Sequence, residues 1–285
     1  MKPIHAHTAP VMARWATAGL LLATASASAQ VFQYSSRDLV AEFRRSGSSD
    51  LSINLGSIDT FTGLGAGQTI DLSNRYSVND QLLSTFGTTD SLSFSVIGTH
   101  KFGLSNPTEP QYTSWLTTAR TDLDNATSAP NRYTTSKTQS IQAAIGGILG
   151  DGAAKGALVY GPNASYPPSS STALVIPTSG VDAVHSYTSL YTGTGGLKSL
   201  ISSPGIENTT GTDFSSSGGV ARSDLYEYKP GSPTLKADYL GVFSLDNFGH
   251  LSFTAVPEPS EYGAVATAAL LAGAAWHRRN RAAKS

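Results

Sequence analysis

Cysteine is absent from the 285 residues, which together excludes disulfides, thiolate-ligated zinc, iron-sulfur clusters and thiol catalysis. Export stays open, because only small domains with inadequate cores need disulfides outside the cell, and about 225 residues bury an ordinary core without them. Charge is scarce as well, at 14% of residues. Six of the nineteen basic residues (Lys2, Arg14, Arg278, Arg279, Arg281, Lys284) sit in the two terminal segments, leaving 13 against 18 acidic residues once Glu258 and Glu261 are set aside. A mildly acidic middle without clustered Lys and Arg argues against nucleic acid as a partner. Between the ends the chain has only three histidines, His100, His185 and His250, none with a second histidine three to five residues away. The helical metal pair H-E-x-x-H is therefore missing, and so is the G-x-S-x-G nucleophile elbow. No internal repeat is present. The sequence thus leads to no catalytic residue, no metal and no cofactor, and the expectation is a protein that is not an enzyme.

What is abundant is Ser, Thr and Gly, a composition that suits a β-rich, loop-rich extracellular body. Residues 38–44 show partial apolar alternation and read as a strand, and Leu51, Ile53 and Leu55 alternate with Ser52 and Asn54 in a second. Leu92, Phe94 and Val96 alternate with serines, and a further extended piece is expected over 115–121. Asn79 and Asp80 are expected to cap a short helix carrying Leu82, Leu83 and Phe86 and ended by Gly87. The clearest helical stripe runs over 136–149, with Ile141, Ala144, Ile145, Ile148 and Leu149 on one side and Gly150 as its stop. A second short helix is expected over 181–191, and loops over 161–171 and 202–219. Near the end of the body, 239–245, the turn Asp246-Asn247-Phe248-Gly249, and Leu251 with Phe253 read as a hairpin at a sheet edge. The expected fold is one mainly β, sandwich-like domain with a few peripheral helices, spanning residues 30–255.

Both ends read as addresses. Residues 1–29 have a basic start (Lys2, Arg14), an apolar Ala/Leu run over 15–23, and then small residues. Ala27-Ser28-Ala29 fits the A-x-A rule for signal peptidase, which places cleavage between Ala29 and Gln30. At the other end Val256-Pro257-Glu258-Pro259-Ser260 precedes an uncharged apolar run over 262–276, followed at once by His277, Arg278, Arg279 and Arg281. Pro257 and Pro259 fix φ and remove donors, so the segment is expected to be stiff and extended, as a processing enzyme could clamp it. The apolar run spans about 22 Å as a helix, short for a permanent span. Its arginines would hold the tail on the cytoplasmic side of the inner membrane.

These three elements, in this order over residues 256–285, resemble the PEP-CTERM sorting signal. The resemblance implies recognition of Pro257, Glu258 and Pro259 by exosortase, a multi-spanning membrane protease or transpeptidase. It further implies a short transmembrane helix anchored by Arg278, Arg279 and Arg281, matching the signal helix at the other end, and removal of the tail on delivery to the cell surface or extracellular matrix, as in biofilm. Signal peptidase and exosortase are then transient partners.

Other motifs are weak. Gly63-Leu64-Gly65-Ala66-Gly67 lacks the Lys-Ser/Thr of a phosphate loop and runs into a strand-like 68–72, so it reads as a turn. Asp122-Leu123-Asp124-Asn125 opens like a calcium loop, but Ala126 and Thr127 stand where a ligand and the turn glycine belong. Tyr187, Tyr191, Tyr226, Tyr228 and Tyr239 could stack on sugars, which makes matrix polysaccharide a candidate ligand. The expected role is structural or glycan- and protein-binding. A secreted hydrolase acting on matrix polysaccharide, its site residues scattered in sequence, is the alternative.

Overall fold

The computed structural model describes residues 32, 35–100, 110–120, 122–159, 173–181, 183–201, 205–211 and 219–256, with the side chains of 150–159 left aside. The signal segment with Ala27, Ala29 and Gln30 lies outside the described residues, as do the motif Pro257, Glu258 and Pro259 and the anchor Arg278, Arg279 and Arg281.

Period-two alternation builds the first strands. β1 (Asp38–Arg44) sends Leu39, Ala41 and Phe43 into one core and Val40 into another, and β2 (Asp50–Ser57) adds Leu51, Ile53 and Leu55 to the first. Three short helices follow on that same side: α1 (Asp59–Thr62), α2 (Leu72–Tyr76) and α3 (Val78–Phe86), with the three-residue strand β3 (Thr69–Asp71) before α2. Phe61, Leu72, Val78, Leu82 and Phe86 fill the first core from these helices. β4 (Ser93–Thr99) and β5 (Ser114–Ala119) return to the sheet. The long helix α4 (Thr135–Val159) crosses the opposite face, followed by β6 (Ala173–Ile176), α5 (Tyr187–Thr192), α6 (Leu197–Leu200) and the two-residue β7 (Asn208–Thr209). β8 (Val220–Tyr228), β9 (Asp238–Asp246) and β10 (Leu251–Ala255) close the body.

Strand outweighs helix, 35% to 27%, so the protein is mainly β as its composition suggests. The strands form one antiparallel sheet in the order β3-β10-β9-β8-β5-β4-β1-β2-β6, with β7 paired to β4 off this path. The expected strands appear: β1 pairs with β2, and β9 with β10 in the expected hairpin, which sets Leu245 against Leu251. The sheet curls, since Leu51 and Ala173 from one end share a core with Phe253 and Ala255 from the other. The second core lies between the other face and α4, α5 and α6, where Ile141, Ile145, Ile148 and Leu149 meet Val40, Ile97, Leu116 and Tyr226.

Three expectations are corrected. Gly150 does not stop α4, which continues to Val159; an interior glycine costs a helix only about 1 kcal/mol, and the Ala-rich stretch beyond it restores the propensity. Asn79 and Asp80 do not cap α3. The cap position falls on Ser77, in the left-handed region at φ 52 and ψ 38, because α2 ends there and α3 begins. Gly87 does close α3, at φ 73, its N–H reaching the Leu83 carbonyl. Finally, β10 is not a sheet edge: Ser252, Phe253 and Thr254 pair with β3 on its far side. A three-residue strand flanked by turns carries too little pattern to announce itself. Among the described residues no helix is long and apolar enough to cross a membrane.

Candidate functional site

An open polar cleft of about 320 Å³ lies between the α2–α3 junction and the end of the β9–β10 hairpin, lined by Ser73, Asn74, Ser77, Asn79, Asp80 and His250. A volume near 300 Å³ is at the small end of ligand sites. A second hollow of about 100 Å³, beside Phe61, Leu64, Leu240 and Val256, is too small for comparison.

Local chemistry fixes both walls of the cleft. Asp71 caps α2 through Oδ1, accepting from the Ser73 N–H at 2.8 Å, while its Oδ2 accepts from Asn74 Nδ2 at 2.7 Å. Ser73 then bolts α2 to β10: its hydroxyl accepts from Leu251 N–H at 2.6 Å and donates to the Leu251 carbonyl at 3.3 Å. In the hairpin turn Asp246 Oδ1 accepts from the N–H groups of Phe248 and His250 at 2.9 and 2.8 Å. Its Oδ2 lies 2.9 Å from His250 Nδ1. Gly249, at φ 86, lets the turn pack on α3, where an added Cβ would come within 3.5 Å of Asn79 Cα and Leu82 Cδ1. Thr89 Oγ1 adds a bond to the Asn247 carbonyl at 2.6 Å. Phe248 projects from the same turn, 66% exposed.

Other charged groups are buried and serve the fold. Under α5, Arg44 forms a bidentate pair with Glu207, at 2.5 and 2.6 Å, and Asp50 accepts from the Thr188 N–H and hydroxyl at 2.6 and 2.8 Å. Beside them Glu42 is fully buried, with Ser52 Oγ at 2.6 Å from Oε2 and no partner for Oε1 among the described residues. Burial pushes the Glu42 carboxyl well above the usual range, against the Ser52 bond, and the charges of Asp50 and Glu207 push the same way. Asp50 is likewise raised by burial, against the bonds from Thr188.

A raised carboxyl is protonated in the folded chain where the unfolded chain has already released its proton, so stability is full below the ordinary value of 4.5 and declines as pH rises above it. Glu42→Gln is expected to be more stable than wild type at neutral pH and to lose most of this slope, with Asp50 carrying the remainder. Urea midpoints at about pH 5 and about pH 8 measure it. An unchanged slope in the variant means that Glu42 is ionised in the fold.

The sequence-derived candidates end in different places. His100 is buried, with its N–H on the Thr113 carbonyl and its own carbonyl taken by Gln142 Nε2; His185 lies in the 3-10 turn Ala183–His185. The glycine segment 63–67 is a turn whose Gly67 N–H reaches the Ala255 carbonyl at 2.9 Å. Asp122 spends both carboxylate oxygens on its own turn, accepting from Asp124 N–H and Asn125 Nδ2. Among the described residues no three His, Asp or Glu side chains gather to hold a metal. Tyr187, Tyr191, Tyr226 and Tyr228 are buried, and Tyr239 is tied by its hydroxyl to Asp224, so none of the five is the open sugar platform their number suggested. Among the described residues the exposed aromatic is Phe248, which sequence reasoning left in the hairpin turn. The Asp246-x-x-x-His250 spacing across that turn was the available signal. Compared with family models, curated proteins and solved structures, the chain matches none.

Proposed function

We propose that the protein is an exported cell-surface or extracellular-matrix protein, sorted and processed by exosortase, whose β-rich body binds matrix glycan or protein. The observation that carries this reading is the order of its parts. The last strand ends at Ala255, Val256 still bonds to the Leu240 carbonyl at 3.2 Å, and Pro257-Glu258-Pro259 follows in sequence without a linker. A processing site directly after a self-contained body can be cut without unfolding it. In this reading the sheet's curl is a sandwich-like wrap, and the signal segment and the C-terminal apolar run are helices that meet the inner membrane transiently. The polar cleft, with the exposed Phe248 ring 6.2 Å from that of the lining His250, is where a hydroxyl-rich ligand would settle, aromatic face against sugar ring and Asn74, Asn79 and Asp80 against hydroxyls.

The test is intact mass of the protein recovered from cell surface and medium, for wild type, Glu258→Ala and an exosortase-deficient host. The expected wild type starts near Gln30 and ends near the Pro-Glu-Pro motif, while both comparisons keep the tail. A tail retained by wild type refutes exosortase processing.

The second reading, a secreted hydrolase, is favoured by one observation: His250 is oriented by Asp246 inside the cleft.

A further inference from the structure

We propose that Ser77, His250 and Asp246 make this cleft an acyl-transfer site that hydrolyses small ester groups on a hydroxyl-rich polymer, such as an O-acylated polysaccharide. The inference rests on the cleft as a glycan-facing site and is independent of how the protein is sorted.

Ser77 has the marks of a side chain kept for something other than the fold. It occupies the cap position of α3, where serine ordinarily bonds the helix N–H groups, yet its hydroxyl makes no cap bond. Its backbone sits in the left-handed region, which costs a non-glycine residue about 1–3 kcal/mol and occurs where surrounding structure imposes it. The residue is exposed, and the kink between α2 and α3 turns it to the cleft wall. In the same cleft Asp246 Oδ2 lies 2.9 Å from His250 Nδ1, and an ionised carboxylate there can only accept the Nδ1 proton, so that Nε2 is the ring nitrogen left to act as base. The two walls are held at fixed spacing by the Ser73–Leu251 bonds on one side and the Gly249–Asn79 packing on the other.

The reaction balances with water alone. Ser77 Oγ bonds to the ester carbonyl carbon while its proton passes to His250 Nε2. Collapse of the tetrahedral adduct breaks the bond to the alcohol oxygen, which leaves with that proton. Water then attacks the acyl-Ser77, again giving its proton to His250, and the acid departs as Ser77 Oγ is reprotonated. The first-turn N–H groups of α3, at Val78 and Asn79, have no intrahelical acceptors by helix geometry and in this proposal donate to the developing oxyanion. Asp246 acts through His250 as a positioning residue. The size of the cleft limits the acyl group to a small one, and its polar lining favours an alcohol carried on a sugar.

The test uses the secreted protein with p-nitrophenyl acetate, a fluorophosphonate probe, and acetylated and deacetylated polysaccharide. Wild type is expected to hydrolyse the ester and to take one phosphonyl adduct, mapped to Ser77. Ser77→Gly, which suits the left-handed backbone and so keeps the fold, is expected to lose both, and His250→Ala to fall to the background rate. Asp246→Asn is expected to lower kcat with little change in KM and to displace the pH profile, which a merely structural role would not do. Absence of an adduct on Ser77, or an unchanged rate in Ser77→Gly, overturns the proposal. If acetylated polysaccharide is bound but not hydrolysed, the acyl-transfer proposal falls and the binding reading stands; if it is neither bound nor hydrolysed, both fall.

Discussion

Replacing Asp224 with alanine is expected to cost the fold about 3–5 kcal/mol, because it strands a buried guanidinium. Asp224 is fully buried on β8, and Arg120, at the end of β5, is 8% exposed. One carboxylate oxygen accepts from Arg120 Nε at 3.1 Å and from the Tyr239 hydroxyl at 3.0 Å; the other accepts from the Thr127 N–H at 2.6 Å. The aspartate therefore ties β5, β9 and the 122–127 loop to one point. The loop is also held by the Leu123 carbonyl, which takes both Arg120 Nη1 and Arg222 Nη1, by the Thr127 carbonyl, which takes the Tyr226 hydroxyl, and by the Thr127 hydroxyl, which donates to the Ala119 carbonyl at 3.3 Å. Urea unfolding of Asp224→Ala should show a lower midpoint with an unchanged slope. The control separates charge from packing. Arg120→Met combined with Asp224→Leu removes both charges and fills the space with apolar atoms, and it should recover most of the loss. Equal destabilisation in the double variant would mean that the site's worth lies in its hydrogen bonds to the loop, with the ion pair secondary.

Phe253→Ala should be comparably severe, at about 3–5 kcal/mol, by leaving a cavity where both halves of the inner core meet. Phe253 is fully buried on β10. Its ring meets Phe61 of α1 edge-on at 5.2 Å and Phe243 of β9 at 4.9 Å. The same ring covers Gly241, where an added Cβ would lie 2.4 Å from Phe253 Cζ and 2.4 Å from the Thr254 carbonyl oxygen. Gly241 faces the β8–β9 irregularity between Leu225 and Tyr226, at φ 159, so the sheet bends where the aromatic cluster packs. Two contacts at one glycine make a sharp comparison. Gly241→Ala should also be destabilising, and Phe253→Ala should not rescue it, since the Thr254 carbonyl remains in place. Rescue in the double variant would show that the ring alone excludes a side chain there.

Much of this sheet could be read from the chain. The alternation in β1, β2 and β4, the turn of the β9–β10 hairpin and the apolar stripe of α4 are local signals, and each appears where expected. Glu42 shows where local reading ends. Period two places it opposite Ala41 and Phe43, on a face that the sequence offers to water. That face is covered by α5, which begins more than a hundred residues later, so its burial depends on a non-local contact. The same holds for β3, β6 and β7, whose two to four residues become strands only because a neighbour supplies hydrogen bonds. The cleft follows this rule. The Asp246–His250 pair is written in one turn, but bringing His250 into one cleft with Ser77 requires β10 to be bolted to α2 by Ser73, 178 residues from its partner Leu251.

The placement of the outermost strands in sequence has a mechanical consequence. β1 lies between β2 and β4, and β10 lies between β9 and β3, so the first and last strands among the described residues are both interior to the sheet. Tension applied to the chain at Val256 along β10 runs parallel to the strand and is opposed by two hydrogen-bonded ladders in shear, which must yield together. An outer strand would peel away one bond at a time. A pull at that point meets the fold in its strongest direction, with the three residues of β3 acting as a clasp over the strand that takes the load.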